Sequence, residues 1–269
     1  MRLTDQQLEV LIDEIHENYG YDFSGYAKAS LKRRIERLIT IDKSSYEGMI
    51  SKMRNDSGYL RRIIEEITVN VTEMFRDPGF YKVVRTDILP LLATKPFIRF
   101  WFAGCSTGEE VYSFAIMLKE ENLLHKSLIY ATDLSPQVLT QAKKGVYPLR
   151  LMSQFAADYR EAGGQRDFSE FYTANYGFAK FSGELSQNMV FSQHNLVSDG
   201  SFNEFNMIVC RNVMIYFDSV LQVRVLQLFD ESLASLGVLA LGSKETIKFS
   251  PISKNYEQWV TEKIWRKMR

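Results

Sequence analysis

The first 70 residues carry a hydrophobic pattern that is typical of helices alone. Apolar residues recur at intervals of three and four positions between Leu8 and Ile15. Thr4 and Gln7 have the spacing of a capping box, which marks the start of a helix. The same apolar spacing returns three times, over about 27–39, 45–53 and 58–69. Four short helices with polar links predict a small bundle.

The pattern changes after about residue 75, where short apolar runs begin to alternate with amphipathic segments. The runs predict strands at 98–102, 127–132, 205–210 and 237–241. The amphipathic segments predict helices at 77–92, 108–120, 136–144 and 219–235. This alternation indicates an α/β fold with a parallel sheet covered on both faces. Residues 150–193 interrupt it, so we interpret them as an insertion.

Composition excludes several classes of protein. The chain has 269 residues, of which 45 % are hydrophobic, and 33 Lys and Arg balance 33 Asp and Glu. A neutral balance gives no reason to expect binding to nucleic acid or to an anionic membrane. Two cysteines and three scattered histidines predict neither a disulfide framework nor a metal site. The chain shows no signal peptide and no apolar stretch of about 18 residues, so we expect a cytoplasmic protein.

The most informative segment is a strand that runs into a turn and a helix, residues 100–110. Gly104 lies where a ligand can approach the backbone at the carboxyl end of the strand. The segment lacks the P-loop and the dinucleotide fingerprint. Glu109 and Glu110 begin the helix, and carboxylates there would repel a phosphate. A nucleoside without phosphates, such as S-adenosylmethionine, would fit this segment as a ligand. The alternative is that the segment is an ordinary strand–helix turn without a ligand.

Polar residues follow the other predicted strands in the same way. Asp133 ends the second strand, where an acid accepts hydrogen bonds from ribose hydroxyls or caps the next helix. Arg211 and Asn212 follow a buried strand, which implies a ligand or a polar network. Asn195 follows a further short strand and suits either adenine or a turn. Residues 68–77 are either a plain link or a segment that closes over a ligand.

These motifs, taken in order, resemble those of the chemoreceptor glutamate O-methyltransferases of the CheR family. The resemblance runs through essentially the whole chain. It rests on the segments 70–76, 104–110, 131–135, 195–196 and 210–218. It implies an N-terminal all-α domain, residues 1–70, and a Rossmann-like S-adenosylmethionine-dependent methyltransferase domain, residues 71–269. A small β-subdomain is expected as an insertion at about 150–193.

The family's functional positions fall on particular residues of this sequence. The resemblance implies that S-adenosylmethionine is bound by Asn70, Thr72, Arg76, Gly104, Glu110, Asp133, Leu134, Asn195, Leu196, Asn212 and Val213. Arg76 and Tyr216 are implied to face the transferred methyl group and the incoming carboxylate. The segment 172–183 differs from the loop that docks a receptor's C-terminal pentapeptide in some members, which argues against such tethering.

The implied reaction is methylation of glutamates on the helices of a chemoreceptor's cytoplasmic domain. A basic face on the second helix, formed by Lys32, Arg33, Arg34 and Arg37, is then expected to dock the acidic substrate, although a solvated surface helix would show the same residues. The main alternative is a signalling module that binds S-adenosylmethionine without turnover. A methyltransferase acting on a small molecule or on nucleic acid is a second alternative. We expect a monomer.

Overall fold

The computed structural model describes residues 2–69, 72–260 and 262–269. It begins with four helices: α1 (Asp5–Tyr19), α2 (Lys28–Ile41), α3 (Tyr46–Asn55) and α4 (Ser57–Thr68). The predicted capping box is confirmed. The Thr4 hydroxyl accepts a hydrogen bond from the Gln7 backbone N–H, and the Gln7 side-chain oxygen accepts one from the Thr4 backbone N–H. The buried positions of the helices repeat at intervals of three and four, as the pattern predicted.

A seven-stranded sheet forms the centre of the second part of the chain. Its strands are β1 (Ile98–Ala103), β2 (Ser127–Asp133), β6 (Met189–Gln193), β7 (Phe205–Cys210), β8 (Leu233–Leu241), β9 (Tyr256–Val260) and β10 (Ile264–Lys267). They lie in the order β6-β2-β1-β7-β8-β10-β9. The first five are parallel and the last two pairings are antiparallel. The predicted α/β class is confirmed, and the carboxyl ends of the parallel strands meet at one edge.

Helices cover both faces of this sheet. They are α5 (Pro78–Val83), α6 (Leu89–Ala93), α7 (Glu109–Glu120), α8 (Pro136–Lys144), α9 (Met152–Glu161), α10 (Gly183–Ser186) and α11 (Ser219–Ser232). A π-helical turn at Val84–Ile88 joins α5 to α6 within the single helix that the sequence predicted over 77–92. Because helices cover both faces, the parallel strands can be apolar on both sides.

Among the described residues, the core of the four-helix bundle is continuous with the core on one face of the sheet. One continuous buried cluster contains Ile15 of α1, Ile35 of α2, Trp101 of β1 and Phe229 of α11. A second cluster fills the opposite face of the sheet. Because the bundle shares its core with one face of the sheet, burial of apolar surface fixes the bundle against the strand ends.

Four expected boundaries differ from the structure. Strand β8 begins at Leu233 rather than 237, because Leu233 already pairs with Phe205, and the helix predicted to 235 ends at Ser232. The small antiparallel sheet consists of β3 (Val146–Pro148), β4 (Tyr172–Asn175) and β5 (Phe178–Phe181). It therefore starts before the expected 150. Residues 189–193 leave the insertion, because β6 pairs with β2 in the main sheet.

Within the described residues, no helix is long and apolar enough to cross a membrane.

Candidate functional site

A cavity lies at the carboxyl edge of the parallel strands, where the bundle meets the sheet. It encloses about 930 Å³ including its opening to solvent. Loops after β1, β2, β6 and β7 form its floor, and the segment that follows α4 forms one wall. The cavity brings together the following predicted residues: Thr72, Arg76, Gly104, Glu110, Asp133, Leu134, Asn195, Leu196, Asn212, Val213 and Tyr216. Asn70, which was also predicted, lies outside the described residues.

The loop after β1 is held close to the loop after β7. Gly104 has a φ of +78°, and a Cβ added there would lie 2.5 Å from Val213 Cγ2. The backbone N–H groups of Gly104 and Cys105 both donate to the Thr132 carbonyl, at 2.8 and 2.9 Å. A side chain at position 104 would therefore push the two loops apart. This close approach of backbone at a strand end is what a bound nucleoside requires.

Asp133 is buried at the end of β2 and is fixed by two backbone donors. Its Oδ2 accepts from the Ser106 N–H at 2.9 Å and its Oδ1 accepts from the Ser135 N–H at 3.0 Å. Burial raises the pKa of this carboxyl group, while these hydrogen bonds oppose the rise. A carboxylate has about four acceptor positions, so acceptor capacity remains for ribose hydroxyls.

Arg211 forms a buried ionic network directly after β7. Its side chain is 3 % exposed and pairs with Glu110 at 2.5 Å and with Asp77 at 2.6 Å. It also donates to the Arg76 carbonyl at 3.2 Å and lies 4.2 Å from the centre of the Phe80 ring. The sequence left open whether the Arg211 side chain binds a ligand or belongs to a polar network, and the structure shows a network. The network ties the segment after α4 to the edge of the sheet.

Glu245 positions the loop after β7, and sequence reasoning missed it. Its carboxylate accepts from the backbone N–H groups of Gly242, Asn212 and Val213, at 2.6, 3.0 and 3.0 Å. Burial raises the pKa of this carboxyl group, against the effect of those donors. The only local sequence signal for this role is that Glu245 lies three residues after Gly242, at the end of a strand. Two of its backbone partners, Asn212 and Val213, lie more than thirty positions away in the chain.

Several residues in or beside the cavity have strained backbone. Val69, Phe75, Asp77, Ser106 and Asn212 all have positive φ, between 51° and 61°. Such a conformation is costly for non-glycine residues, most of all for a β-branched one such as Val69. Strain of this kind persists only where the surrounding structure imposes it, and it clusters at functional sites.

The helical bundle contributes directly to the cavity. The Ala27 N–H donates to the Tyr216 carbonyl at 2.9 Å, and the Arg34 guanidinium lies 5.1 Å from the centre of the Tyr216 ring. Tyr26 is one of the residues that line the cavity, and no sequence motif pointed to it. The bundle therefore shapes the site as well as offering an outer surface.

The four expected docking residues have different surroundings. Lys32 pairs with Asp5, and Arg37 forms a bidentate pair with Glu66, at 2.6 and 2.8 Å. Arg34 turns towards Tyr216. Arg33 is exposed and has no ion pair with any described residue. Because acids neutralise part of this face, its role in docking stays a prediction.

The described part of the chain contains no cluster of acids, histidines and cysteines that would hold a metal ion. Both cysteines are free and buried.

Comparison with known families accounts for nearly the whole chain. Residues 70–262 match the family described as CheR methyltransferase, SAM binding domain, and residues 6–68 match CheR methyltransferase, all-alpha domain. A Pseudomonas putida protein named putative methyltransferase Cher3 is 46 % identical over 99 % of this chain and 98 % of its own length. Proteins named chemotaxis protein methyltransferase are similar too. The one from Listeria monocytogenes is 32 % identical over 87 % of each chain. The one from Salmonella typhimurium is 30 % identical over 80 % of this chain and 73 % of its own.

Proposed function

The chain belongs to the CheR methyltransferase family, and from this premise we propose that it methylates glutamate side chains on the cytoplasmic helices of a chemoreceptor. It is an S-adenosylmethionine-dependent methyltransferase, which is the activity of the family. The names of its relatives in Listeria and Salmonella support a substrate from chemotaxis. The observation that carries the proposal is the cavity. Its floor consists of strand-end loops suited to a nucleoside, and Arg76 and Tyr216 line the same cavity.

The residues around the cavity fit S-adenosylmethionine. Gly104 leaves room that a Cβ would fill, and Asp133 offers acceptors for ribose hydroxyls. Glu73 and Glu110 also line the cavity, and their negative charge suits a sulfonium cation or an α-ammonium group. Leu134 and Leu196 supply apolar surface for an adenine ring. When bound, the cofactor supplies a methyl group attached to a positively charged sulfur.

The protein's task in this chemistry is mainly orientation. A glutamate is ionised near pH 7, so its carboxylate attacks the methyl carbon without a general base. The new bond joins that carbon to a carboxylate oxygen, and the electrons of the broken bond remain on sulfur. Alignment of the two reactants can lower the barrier by several kcal/mol. The site needs a group that holds the carboxylate in line without neutralising it fully.

Arg76 is suited to this task. Its side chain lines the cavity and forms no hydrogen bond or ion pair with a described residue, so its donors are available. Its carbonyl is held by Arg211, which fixes the backbone. We expect Arg76→Ala to lower turnover at least tenfold and to change the affinity for S-adenosylhomocysteine less. Arg160→Ala, at an exposed arginine outside the cavity, is the matched control. Unchanged turnover in Arg76→Ala would contradict this role.

Docking of an acidic helix is proposed for the outer face of α2. Arg33 is exposed and unpaired among the described residues, and Arg37 is exposed although it pairs with Glu66. We expect the double reversal Arg33→Glu and Arg37→Glu to raise the KM for receptor and to leave binding of S-adenosylhomocysteine unchanged. Lys144→Glu on α8 serves as the control for added negative charge. Equal KM values for the two variants would count against docking on this face.

The decisive experiment is transfer of radiolabelled methyl from S-adenosylmethionine to receptor cytoplasmic fragments. Label that is released by mild base identifies a carboxyl methyl ester and supports the proposal. Binding of S-adenosylhomocysteine, measured by calorimetry beside it, tests the site separately. Binding without transfer to any receptor would favour another substrate or a module without turnover, whereas absence of binding would overturn the site assignment.

A further inference from the structure

Tyr26 reaches the cavity from a part of the chain that is not otherwise associated with the cofactor. It lies between α1 and α2, in the all-α region, whereas the floor of the cavity comes from loops of the sheet. The residue is 9 % exposed and packs among apolar groups. A tyrosine so deeply placed normally finds a partner for its hydroxyl.

The Tyr26 ring is held from several sides. It contacts the Phe23 ring edge-on with centroids 5.1 Å apart, and the Phe217 ring at 5.0 Å. The backbone of Tyr26 forms an antiparallel bridge with Phe217, and the Asp218 N–H donates to the Gly25 carbonyl at 2.9 Å. The ring therefore cannot turn away without breaking the junction between the bundle and the sheet. Its hydroxyl is preorganised, which reduces the entropy lost on binding.

The surroundings of the hydroxyl point to a ribose. Burial, and then the nearby charges of Asp133 and Asp22, raise the pKa of Tyr26, so the hydroxyl keeps its proton. It makes no hydrogen bond with any described residue. Asp133, in turn, has acceptor capacity left beyond its bonds from Ser106 and Ser135. A sugar hydroxyl between the two groups donates to the carboxylate and accepts from the tyrosine.

We propose that Tyr26 is a cofactor-binding residue whose hydroxyl donates a hydrogen bond to a ribose hydroxyl of S-adenosylmethionine beside Asp133. The all-α region then completes the cofactor site. The proposal concerns the cofactor alone and does not depend on which protein is methylated.

The test is a chemical double-mutant cycle in the full chain, measured by calorimetry. The protein forms are the unchanged chain and Tyr26→Phe, which keeps the ring. The ligands are S-adenosylhomocysteine and its 2′-deoxy and 3′-deoxy analogues. Tyr59→Phe is the control, because the Tyr59 hydroxyl bonds to Asp42 inside the bundle and away from the cavity. Thermal midpoints of all variants show whether the fold is kept.

Tyr26→Phe is expected to bind S-adenosylhomocysteine about three- to tenfold more weakly, the usual worth of one hydrogen bond. One of the two deoxy analogues should lose more than that factor on the unchanged chain, because it also lacks the bond to Asp133. On Tyr26→Phe the loss for this analogue should be smaller by about the factor that the tyrosine contributes. Tyr59→Phe should match the unchanged chain. Unchanged affinity in Tyr26→Phe would overturn the proposal. So would additive losses with both analogues, because additivity means that the tyrosine acts only through packing. If Tyr26→Phe does not fold, full affinity of the unchanged chain for both analogues overturns it as well.

Discussion

Glu109 is a buried carboxyl group in the first turn of α7, and it makes the stability of the protein depend on pH. The residue is 6 % exposed, and its carboxylate accepts from the Thr107 hydroxyl at 2.6 Å. Burial raises its pKa from 4.5 to about 7. Between these values the folded chain binds more protons than the unfolded chain, so stability falls as the pH rises from 4.5 to 7. The contribution of Glu109 to stability is constant above that range.

The size of the effect follows from the shift. A rise of this size corresponds to about 3 kcal/mol. The N-terminal end of α7 favours the charged form by about 0.3–1 kcal/mol, so about 2–3 kcal/mol is expected. Glu109→Gln keeps the shape and the acceptor oxygen but does not titrate. The variant should equal the unchanged chain at pH 4.5 and exceed it by about 2–3 kcal/mol at pH 8.

The assay is urea unfolding at several pH values between 4.5 and 8.5, with the free energy of unfolding taken from each curve. Glu161→Gln is the control, because Glu161 is exposed at the end of α9. The control should follow the unchanged chain at every pH. Parallel pH profiles for Glu109→Gln and the unchanged chain would refute the argument, since they would mean that Glu109 is charged at no cost in the folded state.

Three further substitutions test the construction of the site. Gly104→Ala places a Cβ 2.5 Å from Val213 Cγ2, so calorimetry should show at least tenfold weaker binding of S-adenosylhomocysteine; equal affinity would mean that the loops separate freely. Arg211→Met leaves Glu110 without its buried partner and should lower the free energy of unfolding by about 3–5 kcal/mol in urea, whereas a change below 1 kcal/mol would show that the network is dispensable. Glu245→Gln presents an amide to backbone donors and should cost about 1–3 kcal/mol in the same assay, and equal stability at pH 8 would argue against the anionic form.

Much of the fold could be predicted because its signals are local. The spacing of apolar residues gave the helices of the bundle and the alternation of strands and helices, and the capping box at Thr4 is present. The boundary errors have a tertiary cause. Residues 189–193 are a short polar-flanked segment whose neighbour in the sheet, β2, lies sixty positions earlier. Strand β8 likewise starts early because Phe205 offers it a partner.

The candidate site was predictable where a functional residue directly follows a strand. Gly104, Asp133, Asn195 and Asn212 occupy such places, and the topology of a parallel sheet brings all of them to one edge. The roles assigned to them remain predictions. Tyr26 was missed because it lies in a loop of the helical region, where one tyrosine among 14 carries no local signal.

The sequence by itself determined the α/β class, the helical bundle before it and the strand ends at which a nucleoside could bind, because these depend on neighbours within a few positions. Only the tertiary structure decided which polar groups meet. Arg211 pairs with Glu110 at a distance of 101 positions in the chain and with Asp77 at 134. An arginine has many possible partners among 33 acids. The packing of the bundle against the sheet determines which acids pair with Arg211. A buried charge can pair only with groups that the shared core places beside it.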